Sequence, residues 1–197
     1  MKNVNLTIAH DPDVECPSDW DGWKLYSFST RHINFKHPEE AGIGRDGQGL
    51  FLGIQSKLKA GTAFVLSYFE HGGCVWSLMG EGPQCQWDSV RVAGLLYWDG
   101  KPKDVGKDYA ERRKSAIGFL EQYTEWANGE CYYYVIEDAD TGETLDSCGG
   151  FIGGESFKGQ VLEALKHYDA KVVEVNGDAG HAFEVPEEFQ AEVEADV

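Results

Sequence analysis

Two short segments bring a thiol, a carboxylate and a hydroxyl within a few residues of one another. They are Gln84-Cys85-Gln86-Trp87-Asp88-Ser89 and, about sixty residues later, Asp146-Ser147-Cys148-Gly149-Gly150-Phe151. Together with His71, these residue types suit a cysteine-dependent hydrolase. Cys85 or Cys148 would be the nucleophile, His71 the base, and Asp88 or Asp146 the group that orients the imidazole. The spacing does not show that these groups converge, and no nucleophile elbow is present. The same residues have a structural use: Asp and Ser bond backbone groups at strand ends, and a Gly pair permits a tight turn.

A metal reading draws on His71, Cys74, Cys85 and Cys148, but only His71-x-x-Cys74 has the close spacing of a structural zinc site. Gly42-Ile43-Gly44-Arg45-Asp46-Gly47 spells a dinucleotide-type glycine pattern, without the preceding strand and following helix that the pattern requires. It reads as a surface loop. No cofactor and no metal are expected.

The elements that must hold these motifs are legible as patterns. Val4, Leu6 and Ile8 alternate with polar residues, which predicts a half-buried strand, and Trp23 to Ser29 repeats the pattern. Thr62–Phe69 and Cys74–Met79 flank His71-Gly72-Gly73 and predict a hairpin. Arg91–Trp98 is apolar enough for a central strand or a buried segment. From Asp108 to Ala127 apolar residues recur at helical spacing, with Asp108 to cap the start and Asn128-Gly129 to stop it. Cys131–Ile136 and Glu143–Asp146 predict a second hairpin around Asp140-Thr141-Gly142. A helix over Phe157–Tyr168 and a strand over Lys171–Val175 follow. This order predicts an α+β fold: an antiparallel sheet built from hairpins with two helices on one face. Residues 1–180 are expected to form one domain, and 181–197 an acidic C-terminal tail.

The chain has 34 acidic against 17 basic side chains, a net charge of −17, with 13% aromatics and 42% hydrophobic residues. That is a foldable composition, not a disordered acidic one. Nucleic-acid binding draws on Lys and Arg displacing counterions, so direct nucleic-acid binding is not expected. The basic cluster Lys101, Lys103, Lys107, Arg112, Arg113 and Lys114 is too small to reverse this. Five widely spaced cysteines, no signal-peptide pattern and no long apolar run predict a reduced, cytoplasmic protein with no membrane span. The Asn5-Leu6-Thr7 sequon is then incidental.

Several blocks resemble a small-protein family scattered through tailed-bacteriophage and prophage genomes. Glu70-His71-Gly72-Gly73 is similar to the family's Asp-His-Ser-Gly. Cys85-Gln86-Trp87-Asp88-Ser89 is similar to its Cys-Pro-Trp-Asp-Ser. Glu125 to Tyr132 loosely resembles its Tyr-Leu-x-Gly-x-x-Tyr. Asp146 to Gly153 is similar to its Asp-Ser-Cys-x-Gly-Phe-x-Gly, and Asp13 to Asp21 to its Asp-Pro-Glu-x-Pro-x-x-Trp-Asp. The resemblance covers residues 6 to 155. Gln86 replaces a Pro and Gly149 a Trp, and the Asp before His71 is missing, which weakens a His–Asp dyad at that point. The family has no assigned activity, so the resemblance implies origin more than chemistry.

A phage origin and strong acidity predict a non-enzymatic interaction protein in the host cytoplasm. Its sharpest form is a DNA-mimic-like inhibitor that occupies a basic surface of a host restriction or CRISPR-type complex. Glu137, Asp138, Asp140, Glu143 and Asp146 of the second hairpin, with Glu184, Glu187 and Glu188, are the expected contact carboxylates. The motif residues Trp87, Asp88, Ser89, Asp146, Ser147 and Cys148 are expected to hold shaped polar features. The alternatives are the hydrolase built on Cys85, Cys148, His71 and Asp88, and a structural or self-assembling phage component, a homo-oligomer anchored by exposed aromatics.

Overall fold

Alternation with period two is realised in β-strands such as the first, Lys2–His10, and the 3.6-residue stripe as the longest helix. In a computed structural model, which describes residues 1–33, 35–44 and 53–191, the first half runs β1 (Lys2–His10), β2 (Trp23–Ser27), α1 (Ile54–Ala60), β3 (Ala63–Glu70), β4 (Cys74–Leu78) and β5 (Ser89–Trp98). It continues with α2 (Pro102–Val105), α3 (Tyr109–Ala127), β6 (Cys131–Asp138), β7 (Thr144–Ile152), α4 (Gly154–His167) and β8 (Ala170–Asn176). The fold is mixed α+β. Part of the glycine pattern, from Arg45 to Gly47, and the last tail acids, Glu192, Glu194 and Asp196, lie outside the described residues.

Within the chain two compact units are distinguished, with a boundary that no linker composition marks. Unit 1 is Met1–Glu15 with Gly129–Val197, and unit 2, Cys16–Asn128, is inserted within it. The cause is the pairing of β1. Its partners are β6, antiparallel, with Leu6 opposite Ile136, and β8, parallel, with Val4 opposite Val172.

In unit 1 the sheet order is β7-β6-β1-β8. Val4, Leu6 and Ile8 share the sheet's buried face with Tyr132, Tyr134 and Ile136, and α4 closes that face with Phe157, Val161, Ala164 and Leu165. Residues 181–191 are not a detached tail. Phe183 and Phe189 join this core, and Gln190 bridges Val172 of β8. The apolar side chains at 183 and 189 hold down a segment whose acids point outward.

In unit 2 the order is β2-β5-β3-β4, antiparallel throughout. Ala116, Leu120 and Tyr123 of α3 pack on Trp23, Leu66, Trp76 and Leu96. The start of α3 is fixed by Asp108, whose carboxylate accepts the Glu111 N–H at 3.0 Å. Asn128 ends the helix and also clamps β4: its side-chain oxygen accepts the Cys74 N–H at 2.7 Å while its amide donates to the Cys74 carbonyl at 2.9 Å. The strands thus form two sheets with one long helix each, where a single sheet carrying both helices is expected. Hairpins look alike in sequence whichever sheet they join.

Candidate functional site

The first motif is a loop of unit 2 between β4 and β5, beneath the β3–β4 turn. Ser89 holds it closed. Its hydroxyl accepts the Cys85 N–H at 2.8 Å and donates to the Pro83 carbonyl at 3.2 Å. Asp88 sits at the centre. Its carbonyl accepts the Glu70 N–H at 3.0 Å, its carboxylate receives the Cys85 thiol at 3.4 Å, and the same oxygen lies 3.3 Å from His71 Nδ1. Cys85, Asp88 and His71 thus come together at one carboxylate oxygen.

The order is nevertheless not that of a nucleophile and its base. A thiol activated by imidazole needs the ring nitrogen on the sulfur and the carboxylate behind the ring. Here the thiol donates to the carboxylate, and His71, 77% exposed, meets that same carboxylate oxygen. The arrangement ties the turn to the loop through one carboxylate.

Beside it lies a cleft of about 440 Å³ lined by Gln84, Cys85, Gln86, Ser89 and Arg91. An irregularity in the β3–β5 ladder adjoins it: Leu66 opposes Gly94 and Tyr68 opposes Val90, so Arg91, Val92 and Ala93 of β5 have only Ser67 of β3 across from them, and Arg91 lines the cleft. Bulges re-aim side chains out of the ladder. Val90 and Val92 are exposed, and Trp87 is 86% exposed. A Trp left this open by a chain that buries Trp23 and Trp76 serves no packing purpose in the unit.

The second motif belongs to unit 1 and runs within β7, longer than the predicted Glu143–Asp146 strand. Its two glycines have a mechanical cause. Asp11, just past β1, accepts the Gly150 N–H at 2.8 Å, and a Cβ at Gly149 would stand 2.8 Å from that same carboxylate oxygen. Gly150 adopts φ +80°, a conformation glycine takes without strain. The Gly pair thus lets Asp11 clasp β7 across the sheet. Asp146 accepts the Tyr134 hydroxyl at 3.2 Å, and burial first, then this carboxylate, pushes that hydroxyl's pKa up to about 12. Ser147 is exposed. Cys148 is exposed too, and belongs to unit 1 whereas Cys85, His71 and Asp88 belong to unit 2.

The predicted contact acids also separate by role. Asp138 is a turn-former: its carboxylate accepts the Asp140 and Thr141 N–H groups, both at 3.0 Å, and these bonds lower its pKa, the Thr141 bond foremost. Asp140, Glu143, Glu184, Glu187 and Glu188 are exposed, and Glu137 is half-buried on β6.

Unit membership gives the charge a direction. Unit 1 holds twenty acidic side chains against four basic ones, net −16, whereas unit 2 holds fourteen against thirteen, net −1; together these make the −17 of the whole chain. Among the described residues of unit 1, ion pairs involve only Asp169 with the N-terminal amine and Glu155 with Lys158. In unit 2 three of the basic residues near α3 are engaged: Arg113 pairs with Glu81, Lys107 with Glu111, and Arg112 donates to the Ala60 and Gly106 carbonyls.

Sequence reasoning missed His32. It is buried against Tyr68 and Trp76, with ring centroids 4.2 and 4.9 Å away, and it bonds the Ser27 hydroxyl. Burial foremost, with Arg31 adding to it and Glu70 opposing, lowers its pKa. Nothing in Ser29-Thr30-Arg31-His32 signals a core residue. Among the described residues no group of three or more His, Cys, Asp or Glu side chains is placed to hold a metal ion, and no helix is long and apolar enough to cross a membrane. No protein-family model, curated protein or solved structure matches the chain.

Proposed function

We propose that this protein is a non-enzymatic interaction protein of phage origin whose acidic unit docks on a basic surface of a host nucleic-acid-handling complex. The observation that carries the reading is the segregation of charge. Acidity that serves only solubility has no reason to avoid one unit, yet unit 2 is nearly neutral while unit 1 carries −16. A one-signed surface steers association with an opposite surface and is screened by salt. Glu137, Asp140, Glu143, Glu184, Glu187 and Glu188 are the contact carboxylates, while Asp138 and Asp146 serve the hairpin itself. The order of Cys85, Asp88 and His71 favours this reading over a hydrolase.

The test is capture from host lysate on the immobilised full chain at low salt, followed by salt-step elution. A variant with the six contact carboxylates changed to amides runs alongside. The expected result is a nucleic-acid-handling complex, released by rising salt, at least tenfold depleted on the variant, and unable to bind DNA while bound. Equal capture on both proteins sinks the proposal.

A second reading has its own observation. Trp87, 86% exposed beside Val90 and Val92, is the type of aromatic anchor that interfaces bury. Self-assembly through it predicts an oligomer by light scattering that Trp87→Ser converts to a monomer.

A further inference from the structure

Unit 1 exposes an unfinished sheet edge. β8 is the outermost strand of the order β7-β6-β1-β8. Its outer side is met at one point: Gln190 bridges Val172, and the Ala191 N–H donates to the Val172 carbonyl at 3.0 Å. Beyond Val172, through Asn176, no strand pairs that side among the described residues. An edge is commonly blunted by charge, proline or a cover. Here two β-branched side chains stand exposed at alternate positions, Val173 at 54% and Val175 at 40%. They line a groove of about 540 Å³ whose other wall includes Phe183, Val185 and Ala191. Register shifts occur in the pairing of both edge strands, in β8 at Val173, which is skipped between the Val172 and Glu174 pairs, and in β7 at two places; β7 also exposes Ser147 and the Gly pair.

The charge around the groove selects the occupant. Glu174 lies between the two valines, Glu184 is in the wall, and Glu187 and Glu188 follow on the same segment, all exposed. The neighbouring base, Lys171, is spent on the Glu188 carbonyl at 2.7 Å. A strand added to this edge meets Val173 and Val175, with the Glu174 carboxylate between them. We propose that the outer edge of β8 receives an extended segment of a partner protein, with apolar residues alternating with Lys or Arg, by strand addition. The inference deepens the proposed function, and rests on it for the sign of the partner's charge.

The experiment is an anisotropy titration of the full chain with a labelled octapeptide alternating lysine and valine. A peptide of equal composition with all lysines first is the comparison. Strand addition predicts at least tenfold tighter binding of the alternating peptide. It also predicts at least tenfold weakening by the charge-neutral double substitution Val173→Ser and Val175→Ser, at exposed positions where the thermal transition should move little. Equal binding of the two peptides, or indifference to the double substitution, overturns the proposal, because charge alone then explains the attraction. A tenfold gain in affinity on removal of residues 192–197 also overturns it, since the groove then belongs to the chain's own end. Failure here is separable from failure of the broader reading. If the double variant still captures a host complex, the edge is wrong and acidic docking stands; if the peptide binds the edge while the intact chain captures nothing, the reverse holds.

Discussion

Replacing Ser89 by alanine separates a structural loop lock from a reactive site. Ser89 makes two bonds, from the Cys85 N–H at 2.8 Å and to the Pro83 carbonyl at 3.2 Å. Each is worth about 0.5–1.5 kcal/mol net, and water reaches this partly exposed loop, so Ser89→Ala should cost about 1–2 kcal/mol. Cys85→Ala removes one sulfur contact at 3.4 Å and should cost less than about 0.5 kcal/mol, the range of minor surface changes. The assay is urea unfolding followed by tryptophan fluorescence. All six tryptophans, at 20, 23, 76, 87, 98 and 126, lie in unit 2, so this signal reports that unit alone. With a slope of about 2 kcal/mol/M, the Ser89→Ala midpoint should fall by roughly 0.5–1 M and that of Cys85→Ala by less than about 0.25 M. A Cys85→Ala shift equal to or larger than that of Ser89→Ala would refute the reasoning, because the sulfur would then be the keystone.

Three further outcomes are expected. Asp11→Ala breaks the clasp on Gly150 and should destabilise unit 1 by about 1–2 kcal/mol; far-UV circular dichroism should register the change while the tryptophan transition stays in place. Phe157→Ala empties a fully buried site between α4 and the sheet, at a cost of about 3–5 kcal/mol, read from the same circular-dichroism transition. His32 has a folded pKa below its unfolded value, so between the two the unfolded chain binds the extra proton and stability falls as pH falls. The tryptophan transition should therefore weaken as pH drops through about 6.5, and His32→Gln should flatten that dependence.

Local patterns carried most of the elements into the structure. β1, both hairpins, α3 with its Asp108 cap, α4 and β8 all stand where apolar spacing and turn residues place them, within a few residues. The short helices α1 and α2 escaped, because seven and four residues contain too few turns to show a stripe. The division into units was not legible, since nothing in Leu6 or Ile8 says that their partners lie beyond residue 130. The charge asymmetry was hidden for the same reason: the acids can be counted from the sequence, but assigned to units only through the fold. Within the first motif the residue types pointed to chemistry, and only geometry showed that Asp88 stands between Cys85 and His71. Gly149-Gly150 read as a turn, whereas its cause is Asp11, a residue more than a hundred positions away.

The insertion of unit 2 between β1 and β6 also sets an order of events during synthesis. Unit 2 is contiguous, so it can finish folding once Asn128 has cleared the ribosome. β1 emerges first but has no partner until Cys131 and, for its other side, Ala170 are made. At about 5–20 residues per second, β1 waits on the order of 6–25 s with Val4, Leu6 and Ile8 unsheltered. Nascent chains arrested once Asn128 has cleared the ribosome, but before β6 has, should therefore carry a protease-resistant unit 2 behind a fully cleavable β1, and would be the state most dependent on chaperones.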